Sequence, residues 1–143
     1  MSKINKIKGR QVFDSRGNPT IEAEIFTEDG HYASAIVPSG ASTGTHEAFE
    51  LRDTDNKSYL GKSVLIAVEN INTVISKTLN NYDIFDQKKI DQALIDLDGT
   101  TQKKKIGANT ILAVSIASSK LAAISKNISL FKYLGDPKSN QLP

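Results

Sequence analysis

The spacing of apolar residues changes once along this chain of 143 residues, and that change limits the folds open to it. Up to residue 37 the period is two: Ile21, Ala23 and Ile25 alternate with Glu22, Glu24 and Phe26. Successive side chains of a strand point to opposite faces, so Thr20 to Thr27 is expected to form a half-buried antiparallel strand. Asp29-Gly30 suits a tight hairpin turn, which makes His31 to Val37 the returning strand. Ile4 to Phe13 is a looser candidate, closed by Ser15-Arg16-Gly17-Asn18-Pro19, whose Gly, Asn and Pro mark a turn.

From residue 63 the period becomes three to four. Val64, Ala67, Val68, Ile71, Ile75 and Leu79 form one helical stripe, with Ser63 as the expected N-cap and Asn80-Asn81 as the stop. Ile90, Ala93, Leu94 and Leu97 repeat the stripe after Asp86 and end at Asp98-Gly99. A third helix, about Asn109 to Lys126, is apolar on much of its circumference and is expected to be the most buried. A short last helix fits Ser129 to Leu134, with Gly135 at its C-terminal cap. Strands first and helices after define an α+β class: a three-stranded antiparallel β-meander followed by a helical bundle. The domain is expected over residues 1–135, and the polar segment 136–143, with two prolines, is expected to leave it as a linker.

Composition removes several function classes. One domain's length cannot hold a complete TIM barrel, which needs about 250 residues. With no cysteine, disulfide frameworks, thiol catalysis and cysteine-bound zinc are excluded, which is compatible with a reducing cytoplasm. A net charge of +2 is no nucleic-acid signature, and Lys103-Lys104-Lys105 has no aromatic neighbour to stack bases, so it is expected to be a solvated loop. The uncharged run Ile106 to Ser119 is broken by Gly, Asn, Thr and Ser, and neither a signal peptide nor a membrane span is expected. Arginine occurs only at Arg10, Arg16 and Arg52; its planar fork makes bidentate contacts that lysine cannot.

Chemistry, if any, centres on Val37 to Glu47, a loop dominated by Ser39, Gly40, Ala41, Ser42, Thr43 and Gly44. Such a stretch fits either a plain connector or a loop that closes over a ligand. Gly40-Ala41-Ser42-Thr43-Gly44 matches a hydrolase nucleophile elbow, but the base of that fold follows the serine at a distance, and the chain has only His31 and His46. A P-loop needs four residues between its glycines and then Lys, whereas Gly40 and Gly44 enclose three and Thr45 follows. A third reading offers hydroxyl and carbonyl oxygens as part of a magnesium shell. Glu47, Glu50, Asp53 and Asp55 show no spaced ligand set and are expected to be solvated surface acids.

Five motifs then occur in order: Asp14-Ser15-Arg16-Gly17-Asn18-Pro19-Thr20, Pro38 to Gly44, Glu50-Leu51-Arg52-Asp53, Leu97-Asp98-Gly99-Thr100, and Gly107-Ala108-Asn109-Thr110-Ile111-Leu112-Ala113-Val114-Ser115. In these the chain resembles the N-terminal domain of enolases from about Lys3 to Gly135. The resemblance implies a meander followed by a helical bundle, and a parent lyase that interconverts 2-phosphoglycerate and phosphoenolpyruvate with Mg2+. It places the base, the acid and the first metal site in a C-terminal barrel, leaving no catalytic residue in this chain. It assigns Ser39, Gly40, Ala41, Ser42 and Thr43 to a mobile lid and Ser42 to the second magnesium once substrate phosphate is bound. Arg10 and Glu22 stand where family members pair with the other subunit of a homodimer, while Arg16 stands where it braces its own turn or the domain contact. The departures are Thr54, Thr110, Ser129 and Phe131, which bear on local turns. The alternative in another class is a free-standing binding or scaffolding module built on the same fold.

Overall fold

The computed structural model describes residues 2–38, 44–54 and 57–135. Within them β1 (Ile4–Phe13), β2 (Pro19–Thr27) and β3 (Tyr32–Ile36) form one antiparallel sheet in the order β1-β2-β3. The two hairpins share one loop design. The amides of Asp14 and Thr27 donate to the carbonyls of Asn18 and His31, and those of Gly17 and Gly30 donate back to Asp14 and Thr27. Each loop therefore holds three residues ending in glycine, one more than the tight turn expected at Asp29-Gly30.

Register sorts the sheet into cross-strand rows. On the inner face Ile7 lies beside Ile25 and Ala33, and Gly9 beside Ala23 and Ala35. The second row has no large side chain, so helices come close there. A Cβ on Gly9 would stand 2.9 Å from Cβ of Ile71. The outer face carries the rows Lys6, Phe26, Tyr32; Lys8, Glu24, Ser34; and Arg10, Glu22, Ile36.

The first helical stripe is borne out with a change of geometry. α1 (Leu65–Asn70), a π-turn (Ile71–Ile75) and α2 (Ser76–Leu79) run on as one helix. Its buried residues Ala67, Ile71, Ile75 and Leu79 are spaced four apart. At 3.6 residues per turn each such step drifts by about 40°, and the wider π-turn rotates the stripe back onto the sheet. The same turn brings Asn72 against β1. Its side-chain oxygen accepts from the Gly9 amide at 2.8 Å and its nitrogen donates to the Gly9 carbonyl at 3.1 Å. A carboxamide thus takes the place of a fourth strand at that edge.

Ser63 does not cap this helix: its hydroxyl donates to Gln11 Oε1. The cap comes from Asp53, whose two carboxylate oxygens accept from the amides of Leu65 (2.8 Å) and Ile66 (3.1 Å). Asp53 was expected among the solvated acids and is instead buried, because a helix N-terminus needs an acceptor and nothing nearer supplies it.

α3 (Gln87–Asp98) starts at Asp86, whose side chain accepts from the Lys89 amide. α4 (Ala108–Ser125) lies across β2 and β3 and is the most buried helix, through Ala113, Val114, Ala117, Leu121 and Ala122. It is long and apolar enough to cross a membrane, but most of it is covered by the rest of the domain. Leu112 and Ile124, part of its apolar pattern, face outward. α5 (Leu130–Leu134) ends at Gly135, and the Lys126 ammonium sits over the rings of Phe85 (5.1 Å) and Tyr133 (5.4 Å). Segment 136–143, expected to be a linker, lies outside the described residues.

Asn72→Ala is expected to destabilise the domain by about 1–3 kcal/mol, since it leaves two backbone groups of Gly9 without their partner. Gly9→Ala should cost a similar ~1–3 kcal/mol through overpacking against Ile71. Urea unfolding checks both, with the midpoint lowered and the slope unchanged.

Candidate functional site: the cleft beside residues 37–51

The expected functional loop begins where β3 ends. The Val37 amide donates to Ile21 at 3.0 Å, and the hydroxyl of Thr20 donates to the Val37 carbonyl. These bonds fix the chain up to Pro38. Ser39, Gly40, Ala41, Ser42 and Thr43, the expected lid and metal-binding residues, lie outside the described residues. From Gly44 a turn closes on itself: its amide donates to Glu47 Oε2 at 2.9 Å, and the Glu47 amide returns to the Gly44 carbonyl at 3.2 Å.

Beyond the turn the chain runs extended beside the start of α4. Phe49 donates to Gln102 at 2.7 Å and accepts from Ala108 at 2.8 Å. The Asn109 carboxamide then takes both backbone groups of Leu51, accepting from its amide and donating to its carbonyl, each at 3.0 Å. Gly107 makes this approach feasible. Its φ is +96°, and a Cβ there would stand 2.5 Å from Leu51 Cβ and 2.6 Å from Asn109 Oδ1. No other residue type fits that space or that backbone angle.

Between these segments lies a cleft of about 580 Å³, walled by Val37, Pro38, Gly44, Glu47, Phe49 and Leu112. Its volume is that of a small-molecule site. The outward turn of Leu112 on α4 is accounted for here, since its side chain forms one wall.

Charged groups around the cleft are mostly engaged in structure. Glu50 pairs with Arg52 at 2.9 Å. The Arg52 guanidinium also donates to the carbonyls of Pro19 (3.1 Å) and Lys62, tying this loop to the start of β2. Asp55 lies outside the described residues, while His46 and Glu47 are exposed. Among the described residues no group of three or more His, Cys, Asp or Glu side chains could hold a metal ion.

Asp98 orders the loop leading into α4. One oxygen accepts from the amide (3.0 Å) and hydroxyl of Thr100, the other from the amides of Lys105 (3.1 Å) and Ile106 (2.7 Å). Burial opposes its charge, yet these hydrogen bonds outweigh that and hold its carboxyl below the usual aspartate range. Of the three lysines expected in a solvated loop, Lys104 and Lys105 are exposed, while Lys103 is half-buried and its ammonium donates to the carbonyls of Thr100 (3.2 Å) and Thr101 (3.4 Å).

The other expected site residues lie elsewhere. Arg10 and Glu22 are register partners on the outer face of the sheet and pair with each other at 3.1 Å, and Arg10 also reaches Glu24. Arg16 is exposed on the first hairpin, where its amide donates to Asp14. Sequence reasoning did not assign a role to Asn72 or Gln11, because an asparagine or glutamine that bonds a distant backbone carries no local signature.

Fold and cleft together define an α+β domain that walls a ligand-sized space without an acid–base or metal constellation among its described residues. The chain belongs to the enolase N-terminal domain family, which it matches over residues 4–134. It is 61% identical along its whole length to the enolase of Pelagibacter ubique (strain HTCC1062), and spans 34% of that relative.

Gly107→Ala is expected to destabilise the domain by roughly 2–4 kcal/mol, from strain at positive φ added to overlap with Leu51. Thermal unfolding measures this. With its folded pKa below the unfolded value, Asp98 adds stability that is complete above about pH 5 and fades as pH falls through the folded pKa. Asp98→Asn should lower stability at neutral pH and flatten the acid limb of a stability–pH curve. An unchanged acid limb contradicts the assignment.

Proposed function

We propose that this chain is the N-terminal domain of a magnesium-dependent phosphopyruvate hydratase, a cytoplasmic glycolytic lyase that interconverts 2-phospho-D-glycerate and phosphoenolpyruvate plus water. The match over residues 4–134, with 61% identity to a protein about three times as long, carries the reading. Removing a weakly acidic proton beside a carboxylate needs a base and concentrated positive charge. In this reading both belong to a C-terminal barrel outside these 143 residues, as the resemblance to enolases implies, and the chain alone is inactive.

This domain's part is to wall and close the site. Ser39, Gly40, Ala41, Ser42 and Thr43 form a lid that excludes water, and Ser42 lends its hydroxyl to a second Mg2+ once the substrate phosphate is in place. The metal supplies positive charge that stabilises negative charge developing beside the carboxylate. Anchors stand on both sides of that segment: Thr20 and Ile21 hold Val37, and Asn109 holds Leu51. Arg10 and Glu22 pair with each other on the outer face of the sheet, and in the homodimer this pair meets the second subunit.

In the full-length enzyme, Ser42→Ala is expected to lower kcat by about 100-fold or more while sparing the first metal. Turnover by the 143-residue chain alone, or unchanged magnesium-dependent kcat in Ser42→Ala, contradicts the reading.

A further inference from the structure

The sheet has two edges, and the fold treats them differently. The edge formed by β1 is covered. Asn72 takes both backbone groups of Gly9, and near the N-terminus Ile4 donates to Tyr82 and accepts from Asn81. At the other edge lies β3, Tyr32-Ala33-Ser34-Ala35-Ile36, with no charge, proline or bulge along it. Such a strand is a ready template for pairing with another chain unless something blocks it.

Its free backbone groups follow from alternation. His31 and Val37 bond to β2 through Thr27 and Ile21, so the odd residues of this stretch face β2 and Tyr32, Ser34 and Ile36 turn their amides and carbonyls outward. At the centre of that row, the ammonium of Lys120 reaches from α4 and donates to the Ser34 carbonyl at 3.3 Å. Beside the strand runs a groove of about 430 Å³, lined by Ala123, Ile124, Ile128 and Leu130. Tyr32 and Ile36, the two ends of the strand, are each about half exposed.

We propose that the β3 edge is a strand-pairing surface for a second copy of this chain, and that Lys120 keeps it closed. The strand is self-complementary about Ser34. In an antiparallel pair of two β3 strands, Ser34 meets Ser34, and Tyr32 meets Ile36 twice, an aromatic against a β-branched side chain as cross-strand pairs favour. The same symmetry brings two Lys120 ammonium groups together at the axis while each occupies the carbonyl the partner's amide requires. Like charges and a blocked acceptor oppose pairing as long as the lysine is present and charged. Ile36 shares its outer-face row with Arg10 and Glu22, but the pairing runs through the outward backbone groups of β3 and does not depend on the proposed activity.

Sedimentation velocity across a range of protein concentrations tests it, with the wild-type chain as baseline and circular dichroism to confirm folding. Lys120→Met is expected to add a species of twice the wild-type mass, growing with concentration. Lys120→Arg, which keeps the charge and the donors, should match wild type. Adding Ser34→Pro to Lys120→Met removes the outward amide at the centre of the row and should abolish the added species. The inference is overturned if folded Lys120→Met shows no added association, or if the association survives Ser34→Pro. Should Ser34→Pro fail to fold, Ile36→Lys takes its place: it sets charge at both ends of the paired strands, so loss of the added species supports the pairing and its survival overturns it.

Discussion

Asn109 meets Leu51 through both atoms of its carboxamide at 3.0 Å, and Asn72 meets Gly9 in the same way at the edge of the sheet. In each case a side chain provides the donor and acceptor that a neighbouring strand would have provided. Backbone groups removed from water must find partners, and at Leu51 and Gly9 a side chain supplies them. Asp53 and Asp98 solve the same problem with carboxylates, one across a helix start and the other across the loop into α4. The position of the cleft walls depends on these bonds, because residues 44–54 form neither strand nor helix of their own.

Close approach is the companion constraint. Gly9 lets Ile71 reach the sheet, and Gly107 lets Leu51 lie against the start of α4. The central row of Gly9, Ala23 and Ala35 thins the sheet where two helices cross it. With α1, the π-turn and α2 packed over β1 and α4 over β2 and β3, the inner face is filled, while Val37 is held by the sheet and Phe49 and Leu51 by the start of α4. Side-chain hydrogen bonds thus hold the described residues on either side of a stretch that the sequence makes rich in glycine and hydroxyl groups.

Much of this was legible beforehand. The period of two marked the three strands and the period near four marked the helices, since burial on one face imposes the repeat whatever the neighbours are. The dominance of α4 in the core followed from its apolar circumference. The misreadings share one cause. Ser63 looked like a cap by local spacing, but its hydroxyl was taken by Gln11, and Asp53, twelve residues before Leu65, did the capping. Asp53 looked solvated because nothing beside it in the sequence announces a buried partner. Leu112 and Ile124 belonged to an apolar pattern whose outer members line a cleft and a groove.

The sequence by itself determined the order of layers, the strand pairing and the family, because these depend on local periodicity and on motifs that are contiguous in the chain. Tertiary structure alone decided which polar side chains are structural, which edge of the sheet is covered, and where a ligand-sized space opens. Those outcomes depend on pairs such as Gly9 with Asn72, Leu51 with Asn109 and Ser34 with Lys120, separated by 63, 58 and 86 residues. A hydrogen bond forms or fails within a few tenths of an ångström. Positions at that precision are set only when the whole chain has packed.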